Sequence, residues 1–261
     1  MRRALFILLV LSLVGSLAQA QVPTSNVIYR VLRIRTSTET GSAFTIEVDG
    51  KQYLITARHL LEGFGGEGDV DLWLDGRWSR LHVRALYPAK ESVDIAALDA
   101  GRSLTVDFPL DASSVGLTLG QQVYFLGYPF GLSTPGAPGA PVPPGFGEIP
   151  FVKGGIVSAL DSRDPEANLL YLDGHNNPGF SGGPIVFWHA ESRRFRVAGV
   201  VRGYRNEALP VIKKKDLDNP RAQAHNDLYT RANSGIVIGY DIRHIVEAIR
   251  LSTRASAPPA P

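Results

Sequence analysis

The sequence predicts an all-β protein closed by one C-terminal α-helix. Two observations predict it. Short apolar or alternating segments follow one another along almost the whole chain, with turn residues between them. Apolar residues recur at helical spacing only near the end, at Ile242, Ile245, Val246 and Ile249. About a dozen strand-like segments at this spacing argue for a barrel or sandwich.

The chain opens on a segment that stands apart from the fold. Arg2 and Arg3 precede an apolar run from Ala4 to Gly15, and Ala18-Gln19-Ala20 satisfies the small-x-small rule for leader cleavage. The run falls short of the roughly 20 residues needed to cross a bilayer, so residues 1–20 are expected to be an export signal. No other stretch is long enough to span a membrane. The expected location is the bacterial periplasm or the exterior.

Strand signals then follow in order. Val27 to Arg35 alternates, as do Ala43 to Val48 and Leu81 to Leu86. Tyr53 to Thr56 is an apolar run just after Asp49-Gly50, a hairpin turn signal. Val123 to Leu126, Gly155 to Leu160, Leu169 to Leu172, Pro184 to Trp188, Phe195 to Val201 and Gly235 to Tyr240 continue the series. The final helix has Asp241 placed as its N-cap. Ser133 to Pro150, rich in Gly and Pro, reads as an exposed loop, and Asn206 to Ser234 as a second polar excursion. A lobe boundary is expected between Asp107 and Leu119. The expected division is a first lobe over about 21–112, a second over 113–240, the helix over 241–253 and a disordered tail over 254–261.

Composition excludes several chemistries. The 261 residues carry a formal charge of +2, which falls to zero once Arg2 and Arg3 are removed, so nothing steers the protein toward nucleic acid. There is no cysteine, which rules out thiol catalysis, thiolate metal sites and disulfides. The chain is long enough to be held by its core alone.

Asn177-Pro178-Gly179-Phe180-Ser181-Gly182-Gly183-Pro184 carries the most chemical information. Glycines around a serine let the backbone turn sharply and let a substrate approach it. Such a turn can aim the amides of Gly179 and Ser181 at one point, where an oxyanion could sit beside the Ser181 hydroxyl. A serine needs a base, and the base needs a group to fix its tautomer. Of the six histidines, His82 shares a polar strand face with Arg80 and Arg84, His189 sits in a turn, His225 in a polar loop, and His244 beside the apolar face of the helix. His175 lies six residues before Ser181. His59 alone is delivered by an apolar strand, at the end of Leu54-Ile55-Thr56-Ala57-Arg58. Asp94, inside Ser92-Val93-Asp94-Ile95-Ala96-Ala97-Leu98, is the acid in the most apolar setting, where an unpartnered charge would be costly.

Together, Thr56-Ala57-Arg58-His59, Asp94-Ile95-Ala96-Ala97-Leu98 and Gly179-Phe180-Ser181-Gly182-Gly183-Pro184 resemble the trypsin/chymotrypsin-like serine protease superfamily. The Asn-Pro-Gly-x lead into the serine, Gly127-Tyr128-Pro129-Phe130-Gly131 and Val152-Lys153-Gly154-Gly155-Ile156-Val157-Ser158 resemble the bacterial HtrA-like branch. The resemblance runs from about Ser42 to Ile249. It implies two six-stranded antiparallel β-barrels with the site in the cleft between them. It further implies Ser181 as nucleophile, His59 as general base and then acid, Asp94 as orienter, and the amides of Gly179 and Ser181 as oxyanion hole. No cofactor or metal is implied, and the expected partner is a protein or peptide substrate.

Three departures from the family pattern stand out. Digestive members carry an acid just before the serine, where this chain has Phe180, so activation through that salt bridge is not expected. No PDZ domain is expected after the helix, and the disulfides of animal members are absent. His175 and Arg202 are candidate lining residues of the specificity pocket, where two cationic groups would favour an acidic side chain. Two other readings use the same residues. Gly179 to Gly183 also satisfies the esterase pattern GxSxG, but that elbow needs a helix after the serine, and Pro184 to Trp188 reads as a strand. A non-catalytic binding module on the same fold is the other.

Overall fold

The computed structural model describes residues 21–37, 39–106, 110–135, 148–212, 218–219, 221 and 228–255. The expected leader, His225 and most of the Ser133 to Pro150 loop lie outside the described residues.

Strands β1 (Val31–Arg35), β2 (Thr40–Val48), β3 (Lys51–Thr56), β4 (Glu67–Leu74), β5 (Arg77–Leu86) and β6 (Ala96–Asp99) form a closed barrel in the order β1-β2-β3-β6-β5-β4. Antiparallel pairs Ile34 with Leu72 and Arg35 with Asp71 close the ring. Asp49-Gly50 and Asp75-Gly76 each place two successive residues at positive φ, the turn geometry that matches the twist of a two-residue hairpin.

A second sheet holds β7 (Asp111–Ala112), β8 (Gln122–Gly127), β9 (Phe151–Asp161), β10 (Leu169–Asp173), β11 (Pro184–His189), β12 (Arg194–Pro210) and β13 (Tyr229–Asp241). Its order is β11-β8-β9-β10-β13-β12-β7, and β11 also pairs with β12, which draws six strands into a ring and leaves β7 parallel on its outside. The C-terminal helix, Arg243–Ala255, follows at once.

Side-chain alternation explains how the two lobes meet. Ala43 on β2 and Leu54 on β3 point into the first barrel, beside Ile34, Leu72 and Leu98. Their neighbours Phe44, Ile46 and Ile55 point the other way, into an apolar layer shared with Leu126, Val186, Val200 and Tyr240 of the second lobe. β2 is therefore buried on both faces. The helix covers this layer with Ile245 and Ile249. A separate core inside the second lobe gathers Phe125, Leu172, Phe180, Ile185 and Phe187.

Five expectations are corrected. Val27 and Ile28 belong to a short helix, Ser25–Ile28, so the first strand starts only at Val31. The polar excursion is in large part sheet: β12 runs on through Asn206 to Pro210, paired with Tyr229 to Asn233 of β13. This hairpin stands clear of the core, and its strands have no apolar face to betray them. β7 lies in the stretch given to the first lobe yet pairs with β12. Finally, the helix continues through Arg254 and Ala255, into the stretch given to the tail. At its start the Asp241 carboxylate accepts the Arg243 amide at 2.9 Å, although the first helical carbonyl is that of Ile242, so Asp241 stands one residue before the N-cap position expected of it.

Candidate active site

β3 ends at Thr56, and the chain enters a single 3-10 turn, Arg58–Leu61. Leu60 and Leu61 are buried and anchor that turn to the first barrel, which leaves His59 facing outward. Asp94 lies two residues before β6, between the fully buried Val93 and Ile95. The two side chains meet: His59 Nδ1 lies 2.7 Å from Asp94 Oδ2. The other oxygen, Oδ1, accepts the backbone amide of His59 at 2.8 Å. A carboxylate only accepts, so this pair holds the ring proton on Nδ1 and leaves Nε2 free as an acceptor. The Asp94 side chain is 14% exposed and that of His59 38%, so the pair sits at the cleft edge with its acid turned inward.

Two opposing influences set the basicity of His59. Burial lowers its pKa, but the hydrogen bond and charge of Asp94, with the charge of Glu39, raise it above the ordinary imidazole value. Arg202 works against them: its Nε is 3.6 Å from Asp94 Oδ2, and its charge lowers the His59 pKa. Recesses of about 540 and 310 Å³ adjoin the ring. Phe64 and Tyr87 help to line one and Tyr204 and Ile238 the other; His59, Asp94 and Arg202 line both.

The serine turn comes from the second lobe. Gly179 and Gly182 have φ of 102° and 84°, which side-chain-bearing residues rarely adopt. At Gly182 a Cβ would also collide with Ser42 O, Thr56 Oγ1 and the Ala57 amide, so the turn presses directly on the end of β3 that delivers His59. Phe180 is fully buried and packs edge-on to Phe125 at 5.2 Å. Burial of an aromatic ring thus anchors this turn, at the position where digestive relatives use a charge.

Ser42 on β2 fastens the turn to the first barrel. Its Oγ donates to the Gly179 carbonyl at 2.7 Å and accepts the Tyr128 amide at 3.0 Å. Its own amide donates to Ser181 O at 2.9 Å. The carbonyl of Pro178 accepts the Phe130 amide at 2.8 Å. In a trans peptide that turns the Gly179 N–H to the opposite side. Among the described residues, neither the Gly179 nor the Ser181 amide donates to a protein acceptor. The Ser181 hydroxyl donates to the Arg202 carbonyl at 3.1 Å.

The remaining candidates are placed as follows. His175 is exposed, and its carbonyl accepts Lys153 Nζ at 2.6 Å. Lys153 also donates to Asn177 Oδ1 at 2.6 Å and lies over the Phe180 ring; burial lowers its pKa. Arg202 joins the His59–Asp94 cluster, whereas the His175 ring lines neither recess. His82 is exposed and pairs with Asp69 and Glu67, and His189 bonds Ser192. His244 is buried and its Nε2 accepts the Asn168 amide. Sequence reading missed Ser42 and Lys153. Ser42 shares β2 with two other hydroxyls, Thr40 and Thr45, so no local signal singled it out.

The family model described as a trypsin-like peptidase domain matches residues 41–191, more than half of the chain, and the protein belongs to that family. Solved structures share the fold. An inactive mutant form of Rv3671c from M. tuberculosis is 16% identical, with a TM-score of 0.51 over 93% of this chain and 99% of that one. The HtrA-type protease AlgW, solved with a tripeptide, is 18% identical with the same TM-score. That match covers 87% of this chain but 60% of AlgW, so the protein spans less than two thirds of its length. No curated protein matches the chain in sequence. Pro184–His189 being a strand, the serine turn lacks the helix an esterase elbow requires.

Proposed function

We propose that the protein is an exported serine endopeptidase that cleaves peptide bonds through an acyl-enzyme. Ser181 Oγ attacks the scissile carbonyl and passes its proton to His59 Nε2. Asp94 holds the ring in the required tautomer and stabilises the imidazolium. The amides of Gly179 and Ser181 receive the oxyanion. His59 then returns the proton to the leaving amine, and water repeats the sequence on the acyl-enzyme. The observation that carries this reading is the His59–Asp94 pair beside a glycine turn whose Gly179 and Ser181 amides donate to no protein acceptor among the described residues.

The Ser181 hydroxyl rests on the Arg202 carbonyl, so the first step includes its rotation to His59. Export is proposed from the sequence of residues 1–20; among the described residues no helix is long and apolar enough to cross a membrane. The substrate is a protein or peptide, and acidic selectivity through His175 or Arg202 is tested by a cleavage-site library.

The test is digestion of a denatured proteome by wild type and Ser181→Ala. Cleavage by wild type alone supports the reading. Equal digestion by both excludes the mechanism, and digestion by neither, with the protein folded, favours the binding module. For wild type, activity falls as the pH drops through the raised His59 pKa, because the base must be neutral.

A further inference from the structure

Arg202 touches two members of the site at once. Its carbonyl holds the Ser181 hydroxyl at 3.1 Å, and its Nε lies 3.6 Å from Asp94 Oδ2, the same oxygen that binds His59 Nδ1. Val201, one residue earlier, is fully buried and its amide donates to Gly183 O at 2.9 Å. The backbone at Arg202 is thereby fixed to the serine turn. The Arg202 side chain is 52% exposed, and its guanidinium has no other ion pair or ring contact among the described residues.

A cation on that carboxylate has a definite electrostatic consequence. Asp94 stabilises a protonated His59 ring; a guanidinium on the same oxygen weakens that stabilisation and repels the imidazolium. The charged groups acting on the ring are Asp94 and Glu39, which favour the proton, and Arg202, which opposes it. Arg58, Glu62, Glu91 and Tyr87 line the neighbouring recess, with Arg58 and Glu91 paired to each other at 3.4 Å. Tyr240 donates to Ser92 O behind Asp94.

We propose that Arg202 is a positioning residue of this site, whose guanidinium shares Asp94 with His59 and so keeps the base unprotonated to lower pH than the His59–Asp94 pair alone would allow. The inference rests on the proposed roles of Ser181, His59 and Asp94. Arg202 does not touch the reacting atoms through its side chain; it acts through Asp94.

The test follows the His59 ring by NMR titration in the Ser181→Ala protein, where no turnover is needed. Arg202→Gln removes the charge and keeps a polar side chain; Arg202→Lys keeps the charge. The expected result is a His59 midpoint raised in Arg202→Gln by about half a pH unit, about a threefold gain in proton affinity, with Arg202→Lys close to the parent. In the active protein the acid limb of kcat/KM shifts by the same amount. An unmoved midpoint in folded Arg202→Gln overturns the proposal, as does a Lys variant displaced as far as the Gln one. If Arg202→Gln fails to fold, Arg202→Ser supplies the uncharged variant. A shifted midpoint in a protein that never cleaves peptides would refute the proposed activity while leaving the role of Arg202 standing.

Discussion

Ser42 Oγ donates a 2.7 Å hydrogen bond to the carbonyl of Gly179, tying a strand of the first barrel to the serine turn of the second lobe. The same hydroxyl accepts the Tyr128 amide, and the Ser42 amide donates to Ser181 O. One fully buried serine thus sets the orientation of the turn that carries the proposed nucleophile and the proposed oxyanion donors.

Replacing it tests that role. Ser42→Ala leaves Gly179 O and the Tyr128 amide without this partner in a dry setting, at a cost of about 1–3 kcal/mol. Denaturant unfolding measures that loss. The rate of Ser181 phosphonylation by a fluorophosphonate should fall further than the stability loss explains, because the proposed oxyanion donors lose their alignment. A variant destabilised but phosphonylated at the wild-type rate would reduce Ser42 to a packing role.

Glycine at 182 is required by shape as well as by φ. Gly182→Ala places a methyl against Ser42 O, Thr56 Oγ1 and the Ala57 amide at φ of 84°, so at least about 2–3 kcal/mol of stability is lost. Gly203→Ala is the control, since nothing lies within 4 Å of its added Cβ. Thermal unfolding of the two variants should separate them clearly.

His244 gives stability a pH dependence of its own. Burial lowers its pKa in the fold, where the neutral ring accepts the Asn168 amide. Between its folded and unfolded values the unfolded chain binds more protons, so this contribution is complete above the unfolded value and is lost as the pH falls below it. His59 has the opposite sign: its raised pKa contributes stability below its unfolded value, lost as the pH rises through the folded one. His244→Gln should therefore flatten the loss of stability between pH 7 and 5, read by urea unfolding at both. An unchanged slope would contradict the assignment.

Much of this was legible in the sequence, for identifiable reasons. β3 and the run around Asp94 are buried, so their apolar pattern was strong; His59 follows the end of the first, and Asp94 lies inside the second. Val27 and Ile28 continued the alternation of β1 by coincidence, and their helix is too short to show a period. β4 passed unnoticed although Asp75-Gly76 announces a hairpin as plainly as Asp49-Gly50 does. The contacts of Ser42 and Arg202 could not be read at all. Each depends on a partner far along the chain, Gly179 for Ser42 and Asp94 for Arg202, and such a meeting exists only once both lobes are folded.

The central claim is that Ser181 is a nucleophile activated by His59 and Asp94. The most direct measurement is mass spectrometry of the folded protein after reaction with a fluorophosphonate, in wild type, His59→Ala and Ser181→Ala. The account predicts a single adduct on Ser181 in wild type, a rate at least about 100-fold lower in His59→Ala, and none in Ser181→Ala. A folded wild-type protein that stays unlabelled, or one labelled equally fast without His59, would contradict it.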